Sequence, residues 1–172
     1  MDHFERLGLP RRFSVDLATV EREYLARSRH IHPDFHQLGS GAEQQASLEL
    51  TAALNEAYTA LRDPTRRAEY LVQLLGGPSS RDEKSLDQAF LMEMMDLRER
   101  MESARCENET AILETELTDR EAVFLKQIAD IFDRYEKLPE GDASKPALVT
   151  DVRRMLNALK TIRSLLRDFR DD

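Results

Sequence analysis

Apolar residues recur along this chain at spacings of three and four, which predicts helices throughout. Phe4 to Leu7 reads as one helical turn, stopped by Gly8 and Pro10. Ser14 or Asp16 can cap a second helix whose positions Leu17, Val20, Tyr24 and Ile31 share one face. That helix must end by Ile31 or His32, because the residue before Pro33 is disfavoured in helical geometry. Gly39-Ser40-Gly41 marks a loop. Beyond it Ala46, Leu50, Ala53, Leu54, Ala57 and Leu61 outline a third helix, predicted to run antiparallel to the second. Asp63-Pro64 opens a fourth, which carries Tyr70, Leu71 and Leu74 up to Gly76-Gly77-Pro78.

Gly76 to Lys84 combines Gly, Pro and Ser with nothing apolar to bury, so it is the expected domain boundary. Three longer stripes follow. Phe90, Met94, Leu97 and Met101 form the first. Leu113, Leu117, Phe124, Ile128, Ile131 and Tyr135 form the second, interrupted at Arg120. Leu148, Val152, Met155, Leu159, Ile162, Leu166 and Phe169 form the third, after a break at Pro139 and Gly141. Three amphipathic stripes imply a small antiparallel bundle. The expected fold is therefore all-α: an N-terminal domain over 1–75, a linker over 76–86 and a three-helix bundle over 87–172.

Composition narrows the chemistry. Six glycines, six prolines and a charged fraction of 34% in 172 residues suit long solvated helices better than short strands. A formal charge of −8 argues against bulk nucleic-acid binding, since a phosphate backbone rewards clustered Lys and Arg. Cys106 is the only cysteine, so an intrachain disulfide and a cysteine-cluster zinc site are both excluded. A reducing compartment fits that usage. The N-terminus shows no basic region followed by an apolar run, and no apolar stretch approaches spanning length. The expectation is a cytoplasmic protein without a membrane role, a mature mitochondrial form being the alternative. No phosphate loop, nucleophile elbow or metal-ligand cluster is present, so neither a catalytic residue, a metal nor a cofactor is expected, and the chain is not expected to be an enzyme.

One tripeptide stands out. His32-Pro33-Asp34 lies between a helix bearing Arg22, Arg27 and Arg29 and a glycine-containing loop. Proline fixes its own backbone angle and removes a donor, so the His and Asp are presented from a stiff turn. Arg22 and Arg29, seven residues apart, share a helix face. A cationic surface beside an anionic Asp34 is suited to steering toward an acidic patch on a partner. Such a turn also occurs without function, helix arginines are often simply solvated, and His30, His32 and His36 invite a metal-site reading. The proline between two of those histidines and the lack of a nearby cysteine weigh against a metal.

Downstream come Asn55, Ala57-Tyr58, Leu61, Asp63-Pro64, Arg67 and Tyr70, and with them the sequence resembles a J-domain. The opening Asp2-His3-Phe4-Glu5-Arg6-Leu7-Gly8-Leu9 resembles that family's first segment. The resemblance implies docking to a DnaK-type chaperone through His32, Pro33 and Asp34, assisted by Arg22, Arg27 and Arg29, with the ATP chemistry left to the partner. Arg67-Ala68-Glu69-Tyr70-Leu71, then Ala89-Phe90-Leu91-Met92-Glu93 and Leu97-Arg98-Glu99, resemble the HscB-type co-chaperones of iron–sulfur cluster assembly. That resemblance implies delivery of an IscU-like scaffold to a DnaK/HscA-type chaperone.

The residues support a client face independently. If Phe90, Met94, Leu97 and Met101 make the bundle seam, Leu91, Met92 and Met95 point roughly 100–200° away from it, on the side of Glu99 and Glu102. Apolar side chains rimmed by carboxylates and turned from a filled core make a candidate contact surface, and methionine adapts to a partner's shape. By resemblance the contacts are Leu91, Met92, Met95, Asp96 and Glu99. HscB-type proteins also place an aromatic of the last helix in this surface, and the matching region near Asn157 has none. The competing readings are that Leu91 and Met95 pack against the J-domain or a second bundle helix, a J-domain protein with another client, and a helical scaffold or oligomerisation protein in which the His-Pro-Asp turn is incidental.

Overall fold

The computed structural model describes residues 1–31, 41–104 and 107–171, and these residues form seven α-helices and no strand. They fall into two compact units, Met1–Leu71 and Val72–Asp172.

The first unit contains α1 (His3–Leu7), α2 (Leu17–Ile31), α3 (Gly41–Arg62) and the start of α4 (Pro64–Leu74). Local chemistry sets the helix starts. The Asp2 carboxylate accepts the Glu5 N–H at 2.8 Å while the Asp2 N–H donates to the Glu5 carboxylate at 3.1 Å, a reciprocal cap on α1. Asp16 accepts from the Thr19 N–H at 3.0 Å, and Asp63 from the Arg66 N–H at 2.8 Å. Gly8 closes α1 in the left-handed region, φ +65°, and the Arg27 guanidinium of α2 lies directly against it. Phe4, Leu7, Val20, Leu54, Ala57 and Leu61 are buried together with Phe13 and Ala68.

Several positions of the expected stripes are outside that core. Leu17 is 54% exposed, Leu50 is 49% exposed and Ala46 is exposed, whereas Ser47 is buried. The five-residue α1 spans only about 7.5 Å, so it covers one stretch of the 22-residue α3 and leaves the rest to other neighbours. A helix stripe is buried only where a neighbour reaches it.

The second unit contains α5 (Gln88–Ser103), α6 (Glu107–Lys137) and α7 (Lys145–Asp171). Phe90, Met94 and Leu97 of α5 meet Leu113 and Leu117 of α6 and Ala158, Ile162, Leu165 and Leu166 of α7 in one buried cluster. Arg120 does not break α6. It sits beside the stripe and forms an ion pair with Glu93 of α5, and Arg100 of α5 pairs with Glu116 at 2.9 Å. On α7 the buried arc is wider than the expected stripe, because both other helices pack against it. Val149 and Leu156 are buried there, and Met155 is half-buried.

The segment after α4 is fastened along α7 by its own backbone. Arg153 Nε donates to the Pro78 carbonyl at 3.0 Å, and Asn157 Nδ2 to the Glu83 carbonyl at 3.0 Å. Arg154 pairs with the Glu83 carboxylate at 3.2 Å. Gly77 fits where a Cβ would overlap Val149 Cγ1 and lie 2.8 Å from Val72 Cγ1. Gly77→Ala is therefore expected to cost about 1–3 kcal/mol, as overpacking does, read as a lower midpoint in urea unfolding.

Acid should also weaken the chain. Burial works to raise the Asp2 carboxyl, but hydrogen bonds from the Glu5 and Phe4 N–H groups and the Arg11 guanidinium outweigh it and hold it below its ordinary 3.8. Asp16 is lowered by the Thr19 hydroxyl and N–H, and Glu83 by the Ser85 hydroxyl and N–H. A carboxyl more acidic in the folded chain stabilises it above the unfolded value, and that stabilisation is lost as pH falls through the folded value. The thermal midpoint should hold from neutral pH to about pH 5 and decline below about pH 4. A midpoint unchanged down to pH 2 would contradict this.

Candidate protein-docking surfaces

In the first unit, the residues that carried the J-domain pattern act mainly as internal fasteners. The Tyr24 hydroxyl donates to Asn55 Oδ1 at 2.9 Å, and the Tyr24 and Tyr58 rings stack at 4.2 Å, joining α2 to α3. Tyr70 stacks on His3 at 4.1 Å, and its hydroxyl accepts the His3 N–H at 3.0 Å. Burial lowers the His3 pKa below its ordinary value, with Glu56 and Asp2 working the other way. Arg67 is buried with its guanidinium 5.4 Å from the Phe13 ring, and that burial lowers its pKa against the pull of Asp63. Its role is thus in holding the α1–α2 connection onto α4, which the sequence pattern by itself does not disclose.

The three arginines separate into two kinds. Arg22 and Arg29 are both exposed on α2. Among the described residues Arg22 makes loose contacts, 3.6 Å to Glu23 and 3.4 Å to Thr19 Oγ1. Arg27 folds back instead: it pairs with Glu23 at 2.5 Å, donates to the Glu23 carbonyl at 3.3 Å and covers Gly8. Its contact with α1 could not be read from the spacing of charges along α2. The described part of α2 reaches Ile31. His32, Pro33 and Asp34 lie outside the described residues, as do His36 and Cys106.

In the second unit, α5 is two-faced. Its seam is buried at Phe90, Met94 and Leu97, while Leu91 is 41% exposed and Met92 and Met95 are each 65% exposed. Asp96 and Glu99 are exposed beside them, with Asp96 3.9 Å from Arg100. Arg98 and Glu102 pair at 3.3 Å further along. Leu91 and Met95 are thus not drawn into the bundle core. Asp87 caps the helix, accepting the Phe90 N–H at 3.1 Å. On the last helix Asn157 is used to hold the Glu83 carbonyl. Chemically, the α5 face offers apolar, adaptable area with carboxylates at its edge. It suits contact with a protein surface, and among the described residues no group of three His, Cys, Asp or Glu is placed to hold a metal ion. Among those residues no helix is long and apolar enough to cross a membrane.

Comparison with known proteins gives consistent matches over both units. Residues 2–70 match the DnaJ domain family, and residues 86–156 match the family described as the HSCB C-terminal oligomerisation domain. A co-chaperone protein HscB homolog from Bordetella petrii is 37% identical over 134 residues, which cover 77% of this chain and 79% of the relative. Among solved structures, the chaperone HscB from Vibrio cholerae matches with a TM-score of 0.82 at 28% identity, covering 99% of this chain and 96% of that one. Human co-chaperone protein HscB shares the fold, with a TM-score of 0.85 at 23% identity over 99% of this chain and 81% of that one.

Proposed function

Because this chain belongs to the HscB family of J-domain co-chaperones, we propose that it is a non-enzymatic adaptor that brings an IscU-like iron–sulfur scaffold to a DnaK/HscA-type chaperone. In this reading His32, Pro33 and Asp34, together with Arg22 and Arg29 of α2, engage the chaperone and stimulate its ATPase. Leu91, Met92, Met95, Asp96 and Glu99 hold the scaffold. The ATP chemistry belongs to the chaperone and the cluster to the scaffold, so the adaptor itself carries neither catalytic residue nor cofactor. The cytoplasm, where scaffold and chaperone would meet it, is the proposed location.

The observation that supports this most directly is the exposure of Leu91, Met92 and Met95 on a helix whose opposite side already fills a core. Exposed apolar side chains scattered singly need no explanation, but three within five residues, edged by Asp96 and Glu99, form a patch of the kind that binds partners. The test is direct. The purified chain should raise the ATPase rate of a DnaK/HscA-type chaperone, raise it further when the scaffold is added, and retain the scaffold in a pull-down. Stimulation without scaffold capture would leave a J-domain co-chaperone for another client. Absence of both effects would overturn the adaptor reading.

A further inference from the structure

A cavity of about 480 Å³ opens at the N-terminal end of α5. Its lining includes Leu86, Asp87, Phe90, Phe124, Met155 and Ala158. It exists for steric reasons. Phe90 and Phe124 meet edge to face at 5.6 Å and close the end of the seam. Beyond them α5 has no earlier turn to continue the packing, and α7 presents the small Ala158. The segment fastened to α7 by Asn157 and Arg154 supplies the remaining wall at Ser85 and Leu86.

Two observations say what fits there. The first is continuity: Asp87, Leu91 and Met95, at intervals of four, run from the cavity edge up one flank of α5. The other flank is taken by the ion pairs of Glu93 and Arg100 with α6. The exposed apolar strip therefore begins at the cavity. The second is charge. The cavity's arginine, Arg154, is already held by Glu83 at 3.2 Å and Asp151 at 3.5 Å, and Asp87 adds another carboxylate. A volume of this size with aromatic and thioether walls suits an inserted apolar group. An acidic mouth favours cationic residues on either side of it.

We propose that this cavity is part of the docking face and receives an apolar side chain of the scaffold, flanked there by lysine or arginine. The inference rests on the scaffold-binding reading above. Three variants test it, with the IscU-like scaffold as the probe and its affinity measured by calorimetry. Ala158→Leu fills the cavity from α7. Met155→Glu places a charge at a half-buried wall position. Asp87→Ser keeps a helix cap while removing the acidic edge. The first two are expected to weaken binding about tenfold, as loss of an anchor does. The third is expected to weaken it less and to flatten its salt dependence. Circular dichroism establishes that each variant is folded. Should Ala158→Leu misfold, Met155→Glu decides.

Wild-type affinity in Met155→Glu, alongside lost binding in a Met92→Ala/Met95→Ala variant, would overturn the cavity's role and leave the scaffold reading standing. No binding by the wild-type chain would overturn both. Unaltered salt dependence in Asp87→Ser would overturn the cationic flank. A small amphiphile seen in the cavity by native mass spectrometry, and not displaced by the scaffold, would overturn the side-chain occupant.

Discussion

Asp34→Asn is expected to return the chaperone partner's ATPase to its unstimulated rate while the helix content and melting temperature stay at wild-type values. The substitution keeps the side chain's shape and removes its charge, so it isolates the electrostatic part of docking. Removing one partner of a desolvated, hydrogen-bonded charge pair typically costs about 2–5 kcal/mol, chiefly through faster dissociation, and such a loss is enough to empty a transient complex. The arginines of α2 should divide in the way their contacts do. Arg22→Ala and Arg29→Ala remove exposed charges, so each should slow association modestly and reduce its salt dependence. Arg27→Ala should act differently, since its guanidinium is engaged by Glu23 and covers the left-handed Gly8. Its main effect should be on stability. The check is a single-turnover ATPase titration of the partner with each variant, paired with thermal melts. Full stimulation by Asp34→Asn would remove the J-domain mechanism from this chain.

Features governed by local chemistry were the most legible in the sequence. Asp16 and Asp63 announce helix starts because a short carboxylate satisfies amide groups only two or three residues away. Gly8 and Pro10 announce a stop for equally local reasons. The two faces of α5 were legible as well, because fixing Phe90, Met94 and Leu97 in a seam fixes by rotation where Leu91, Met92 and Met95 point. What depends on a neighbour's reach was not. Leu17 and Leu50 sit in good stripe positions and remain exposed, and Leu156 is buried where Met155 fits the stripe better.

The segment from Gly77 to Leu86 shows the limit most plainly. Its composition reads as a tether because nothing in it is apolar enough to bury, apart from Leu86 at its end. It is held through the Pro78 and Glu83 carbonyls, and a backbone carbonyl carries no sequence signature. Arg153 and Asn157, the donors, look from sequence like ordinary polar positions of an amphipathic helix. The cavity behind Phe90 is hidden for a related reason. It follows from a small residue, Ala158, meeting the beginning of another helix, and no periodicity records that meeting.

Met92→Ala/Met95→Ala is expected to abolish retention of the IscU-like scaffold while leaving the fold intact. Both side chains are 65% exposed and lie away from the seam, so truncating them removes little buried area and should move stability by no more than about 0.5 kcal/mol. In a complex the same side chains would be desolvated against the partner. The double truncation should then weaken binding by a factor of about ten to a hundred, in line with the loss of central apolar anchors. Met94 supplies the control. It lies between the other two in sequence but is 4% exposed and packs in the cluster with Leu97, Leu113 and Leu117. Met94→Ala should cost about 2–5 kcal/mol of stability through the cavity it leaves. At temperatures well below its lowered melting point it should still retain scaffold. The three methionines therefore separate docking from packing within one turn of helix: surface variants lose the partner and keep the melt, the core variant loses the melt and keeps the partner. Equal scaffold recovery by wild type and by Met92→Ala/Met95→Ala would take α5 out of the docking face, however exposed its apolar side chains are.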